Sequence, residues 1–139
     1  MVLMKSITML VIACLMAVLD ISAQSPGTSN TPDPDEMAVY FMAFLRTGPE
    51  RSQDSITAAK IQEGHMAHIR QMAIDKKLVL AGPFLDKGDI RGIFVFNVSS
   101  MEEAVELTNQ DPAVQSGRLT MEIHPWYGPV MLKEIDWVK

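Results

Sequence analysis

Residues 37 to 45, "MAVYFMAFL", are apolar at every position and rich in aromatic and branched side chains, which predicts a strand covered on both faces. The polar run "RTGPERSQDS" follows as a loop, with Asp54 or Ser55 available to cap a helix. That helix is expected from about Ile56 to Lys77, ending near "DKK", where the helix dipole favours lysine. "LVLAGPFL" reads as a short strand interrupted at Gly82-Pro83, "DKGD" as a turn and "IRGIFVFNV" as a second long strand. Ser100 and Glu103 form a capping box ahead of "AVELTNQ", a shorter helix expected to stop at Asp111-Pro112. In "LTMEIHPW", Leu119, Met121 and Ile123 alternate with Thr120, Glu122 and His124, the signature of a half-buried strand.

The order is strand, helix, strand, strand, helix, strand. This predicts an α+β fold of the ferredoxin-like βαββαβ type, a four-stranded antiparallel sheet with both helices on one face. The other face would carry Tyr40, Met42 and Phe44, or their alternates Val39, Phe41 and Ala43, and no further helix is predicted to cover it. A second copy of the sheet would do so, so a homodimer is expected.

The first 36 residues lie outside this pattern. Lys5, the apolar run Ile7–Leu19 and "DISAQ" read as a signal peptide cut after Ala23. At 13 residues the run is shorter than the ~20 that span a bilayer. A rival reading takes "VIAC" as a lipobox and anchors the chain by a lipid at Cys14, but the apolar run continues beyond that cysteine. A secreted or periplasmic protein is therefore expected, with no cysteine left in its mature form. Residues 24 to 36, "QSPGTSNTPDPDE", hold no large apolar side chain and read as a flexible linker, leaving residues 37 to 139 as one domain.

The formal net charge is −5, and losing Lys5 and Asp20 with the signal leaves it at −5. An acidic domain without a basic stripe is a poor partner for nucleic acid or anionic lipid. The expected partner is a small molecule.

The candidate chemistry sits in "QEGHMAHIRQM", residues 62 to 72. At about 100° per residue, Ile69 lies about +40° and Met72 about −20° from His65, which places His65 inside the apolar arc. His68, at about −60°, lies on its rim. Such a histidine can be a core side chain bonded to backbone, an acid–base group, or half of a metal site. The metal reading lacks a closing carboxylate motif and has only His124 as a third imidazole, so neither a metal nor another cofactor is expected.

"HMAHIRQMAIDKKLVLAGPFLD", "DPAVQSG" and "EIHPW" together resemble the YciI-like (YCII-related domain) family over roughly residues 37 to 128. The resemblance implies a ferredoxin-like dimeric α/β barrel, with His65 and Asp111 as the proposed catalytic pair. One characterised relative eliminates chloride from a chlorinated hydroxyquinone, and muconolactone isomerases share the barrel. The chain departs from the family pattern at Gln62, where arginine is frequent, at Ala113, where an aromatic is frequent, and at His68, where an aromatic or leucine is common. These changes alter the pocket wall rather than the pair.

The resulting expectation is a small cofactor-independent enzyme in which His65 is the general base and Asp111 orients it. Asp86, Arg46 and Trp126 are the expected substrate contacts. Asp111 has a structural reading too, because Asp-Pro after a helix is common turn chemistry. The alternative function is a non-catalytic module that holds a small ligand in the same barrel.

Overall fold

The computed structural model describes residues 33–136. The expected signal peptide, the lipobox cysteine and most of the linker lie outside the described residues. The strands are β1 (Met37–Thr47), β2 (Leu78–Pro83), β3 (Ile90–Phe96) and β4 (Leu119–Pro129). The helices are α1 (Ser55–Ile74), α2 (Met101–Asn109) and the single turn α3 (Pro112–Gln115). A 3₁₀ turn, Val130–Glu134, follows β4. The sheet order is β2-β3-β1-β4, every neighbouring pair antiparallel. This is the ferredoxin-like α+β arrangement that the element order predicts.

The alternation of β1 sets the two layers. Phe41, Ala43 and Leu45 join Ile69, Met72, Phe94, Phe96, Ala104 and Leu107 in the core between sheet and helices. Tyr40 belongs to a smaller cluster on the opposite face with Val79 and Val95, against which Trp126 and Leu132 pack. This second cluster corrects the expectation that the chain leaves that face without cover of its own. The 3₁₀ turn lays Leu132 over the cluster, and the Tyr40 hydroxyl donates to Pro129 O at 2.9 Å. Burial raises the Tyr40 pKa above that of an exposed phenol.

Helix boundaries moved for identifiable reasons. Asp54 is the N-cap of α1, its Oδ1 accepting from the N–H groups of Ile56 and Thr57. The Thr57 N–H bond, foremost among these contacts, holds the Asp54 carboxyl below the usual range. At the other end, Lys76 takes a left-handed φ of 58°, and Lys77 N–H reaches Met72 O while Lys76 N–H reaches Ala73 O. That pair of bonds is a Schellman motif, which stops the helix at Ile74 rather than at Lys77. Lysine holds the left-handed position where glycine is usual, so the stop has no glycine to mark it. The capping box at α2 is shifted by one residue: Ser100 Oγ accepts from Glu103 N–H, but Glu103 Oε2 accepts from Ser99 N–H.

Candidate active site

α1 lies on the sheet with His65, Ile69, Met72 and Ala73 buried, the arc its periodicity predicts. His65 is 7 % exposed, and its ring stacks on Phe94 with centroids 6.0 Å apart and planes inclined by 19°.

Asp111 reaches this imidazole from a helix start that periodicity did not predict. α2 ends at Asn109, and Asp111 then becomes the N-cap of α3, with Pro112 in the first turn. Asp111 Oδ1 accepts from Ala113 N–H at 2.8 Å. The same carboxylate lies 2.7 Å (Oδ2) and 3.0 Å (Oδ1) from His65 Nδ1. Asp111 is completely buried. Turn chemistry and pairing with His65 are thus two uses of one side chain.

Gly64 makes the approach possible. A Cβ on it would lie 3.0 Å from Pro112 Cγ, so a larger residue there would push α3 away from α1. Glycine inside a helix costs roughly 1 kcal/mol relative to alanine. Here the absent side chain lets the Asp111 turn lie against the helix beside His65.

The other imidazole nitrogen is directed differently. His65 Nε2 makes no hydrogen bond to protein, and no sealed side-chain nitrogen or oxygen among the described residues lacks a partner. The nitrogen is therefore accessible, and His65 lines a cavity of about 420 Å³ between α1 and the sheet. Leu45, Ile69, Phe94 and Leu119 supply apolar wall, and Gln62 and Ala113 also line it. Such a size and lining suit a small organic ligand.

His68 is half-buried rather than free on the rim: its Nε2 and Leu107 O are 2.8 Å apart, a link from α1 to α2. The three expected substrate contacts are not brought to the His65 cavity. Trp126 lies on the opposite face of the sheet, its ring 5.9 Å from that of Tyr40. Arg46 donates to Asp89 and Glu122, both at 2.9 Å, and shares a separate open depression with Asp86. A hydrogen bond from His124, followed by that from Arg46, keeps the Glu122 carboxyl below its usual range. The cavity is instead reached by Arg51, Arg91 and Arg118, none of which stands out in the sequence. Gly64, a glycine inside a helical pattern, is a local feature that can mark a close contact. Among the described residues, no group of three or more His, Cys, Asp or Glu is placed to hold a metal ion.

A buried carboxylate thus holds one nitrogen of an imidazole whose ring lines a cavity, in a βαββαβ domain. Residues 41–127 match the family model described as the YCII-related domain, and the chain belongs to that family. The uncharacterized protein YjpA of Bacillus subtilis (strain 168) is 31 % identical over 90 residues, covering 65 % of this chain and 95 % of that protein. Among solved structures, the chain is similar to 5-chloro-2-hydroxyhydroquinone dehydrochlorinase (TftG) from Burkholderia phenoliruptrix AC1100, in complex with 2,5-dihydroxybenzoquinone. That match has 18 % identity and a TM-score of 0.47, covering 64 % of this chain and 93 % of the other.

Proposed function

We propose that the protein is a small enzyme that moves a proton on a cyclic or oxygenated substrate, using His65 as the base and Asp111 as its orienting partner. The observation that carries this reading is the two-sided imidazole: a buried carboxylate on Nδ1 and a cavity at Nε2. With Nδ1–H donated to Asp111, the Nε2 lone pair is the one directed to substrate. Nε2 takes a proton from an acidic C–H or O–H, and the electron pair left behind moves toward an adjacent carbonyl. Asp111 then steadies the imidazolium, the role a buried carboxylate plays in other histidine sites. Return of the proton to a different atom is isomerisation; departure of a leaving group from the neighbouring carbon is elimination. No cofactor enters either route.

The working unit is a homodimer in this proposal. Met42, Phe44, Ile93 and Trp126 remain half-buried on the sheet face away from the helices, an apolar row that a second protomer would cover. The signal-like N-terminus supports export, with residues 37 to 139 as the functional domain.

The test is a panel of cyclic acids, lactones and hydroxyquinones screened for turnover, with the His65→Asn variant beside the unaltered protein. Loss of at least about a hundredfold in turnover, with folding retained, is expected for a general base. Full turnover by His65→Asn would overturn the assignment. Binding without turnover across the panel would instead favour the ligand-holding module.

A further inference from the structure

Three of the chain's five arginines converge on the His65 cavity. Arg51 comes from the loop after β1, Arg91 from the start of β3 and Arg118 from the residue before β4. Arg51 and Arg118 are held by a joint between distant loops. Gly48 N–H and Glu50 N–H donate to Arg118 O and Gly117 O at 2.9 and 3.0 Å. A Cβ on Gly48 would lie 2.1 Å from Gly117 O, so the approach requires glycine. Within this joint Arg118 Nη1 donates to Gln53 Oε1 at 2.8 Å, Gln53 Nε2 donates to Ser116 O at 3.3 Å, and Arg51 Nη1 donates to Arg118 O at 3.2 Å. Arg91 Nη1 makes only a long contact of 3.5 Å with Gly88 O.

A guanidinium offers five N–H donors, and the contacts above use one on each arginine. Among the described residues none of the three has a carboxylate within ion-pair distance, whereas Arg46 has two. Around the cavity the local charge is therefore opposite in sign to the chain's net −5. Solvated surface arginines would satisfy the same donors with water. Convergence from three separated segments on one partly apolar cavity is what distinguishes this cluster.

We infer that the cavity takes a ring-bearing carboxylic acid, its carboxylate held by Arg118 and Arg51 and its ring on the apolar wall around Phe94. The placement of the reacting C–H at His65 Nε2 rests on the proton-transfer reading; the recognition of the anion does not. Arg91 is the least restrained of the three.

Benzoate and its uncharged isostere benzamide make the test, with binding followed by the NMR shifts of cavity residues. Benzoate is expected to shift Phe94, Ile69 and His65 resonances, and to bind about tenfold more tightly than benzamide, as a charge-assisted contact allows. Arg118→Gln and Arg51→Gln should each weaken benzoate about tenfold, and Arg70→Gln, outside the cavity, should not. If Arg118→Gln fails to fold, Arg51→Gln and Arg118→Lys carry the test. His65→Asn should leave benzoate affinity within about twofold. A lost turnover with intact benzoate binding therefore reports on the base, and the reverse pattern on the anion site. Equal affinity for the two probes, no cavity shift with benzoate, or unchanged benzoate affinity in the arginine variants would overturn the inference.

Discussion

The two faces of the sheet use the same strand differently. Odd residues of β1 meet helices, and because α1 does not fill the space above Leu45 and Phe94, a cavity with a polar wall remains. Even residues meet a single 3₁₀ turn, which seals Tyr40 and leaves Met42 and Phe44 half-buried. Both faces are apolar in sequence, yet only the helix face buries a titratable pair, His65 with Asp111, whereas Arg46, Glu122 and His124 meet in solvent. An apolar strand therefore says where burial occurs. What lies opposite it decides whether the buried space becomes a site or an interface.

The largest effect expected from breaking this comparison is on the helix face. Asp111→Ala removes the partner of Nδ1 and the cap of α3, so turnover should fall at least about a hundredfold, while loss of the cap costs about 1 kcal/mol. Steady-state kinetics beside a thermal melt separates the two; Trp126→Phe, on the other face, should leave the chemistry unchanged. Turnover that survives Asp111→Ala would end the pairing argument.

Phe44→Asp tests the opposite face. A charge in the apolar row should shift the protein from dimer to monomer in light scattering while His65 keeps its partner. A protein that is monomeric before the substitution would remove the dimer.

Gly64→Leu sharpens the role of helix approach. The side chain would meet Pro112, with an expected cost of about 1–3 kcal/mol in denaturant unfolding. Turnover should drop as Asp111 is displaced, a result that altered helix propensity alone would not produce. Stability should rise, with turnover unchanged, if the glycine has no packing role.

The smallest effect is expected from Tyr40→Phe, which deletes the hydroxyl bonded to Pro129 O and should cost about 1 kcal/mol. It should leave binding in the cavity untouched, because Tyr40 faces the other way. A change in ligand affinity would mean that the two faces are coupled.

Element order and the phase of α1 were legible in the chain, because alternation along β1 and a 3.6-residue period in α1 are local properties. The arc that holds Ile69 and Met72 also placed His65 inward, and the structure buries it there. Asp111 entered through family resemblance rather than pattern; in sequence it is only a residue before proline. Its bond to His65 spans 46 positions and depends on how closely two helices approach, which Gly64 and Pro112 set. The arginine cluster was equally invisible, since Arg51 and Arg118 meet through bonds between loops far apart in the chain and Arg91 reaches the cavity from a third segment. The cover over Tyr40 likewise required β4 to end beside β1 before Leu132 had anything to pack on. Periodicity reports which side of an element is dry. Only the packed fold decides which polar groups meet there, because desolvation and hydrogen bonding act on distances that no local repeat encodes.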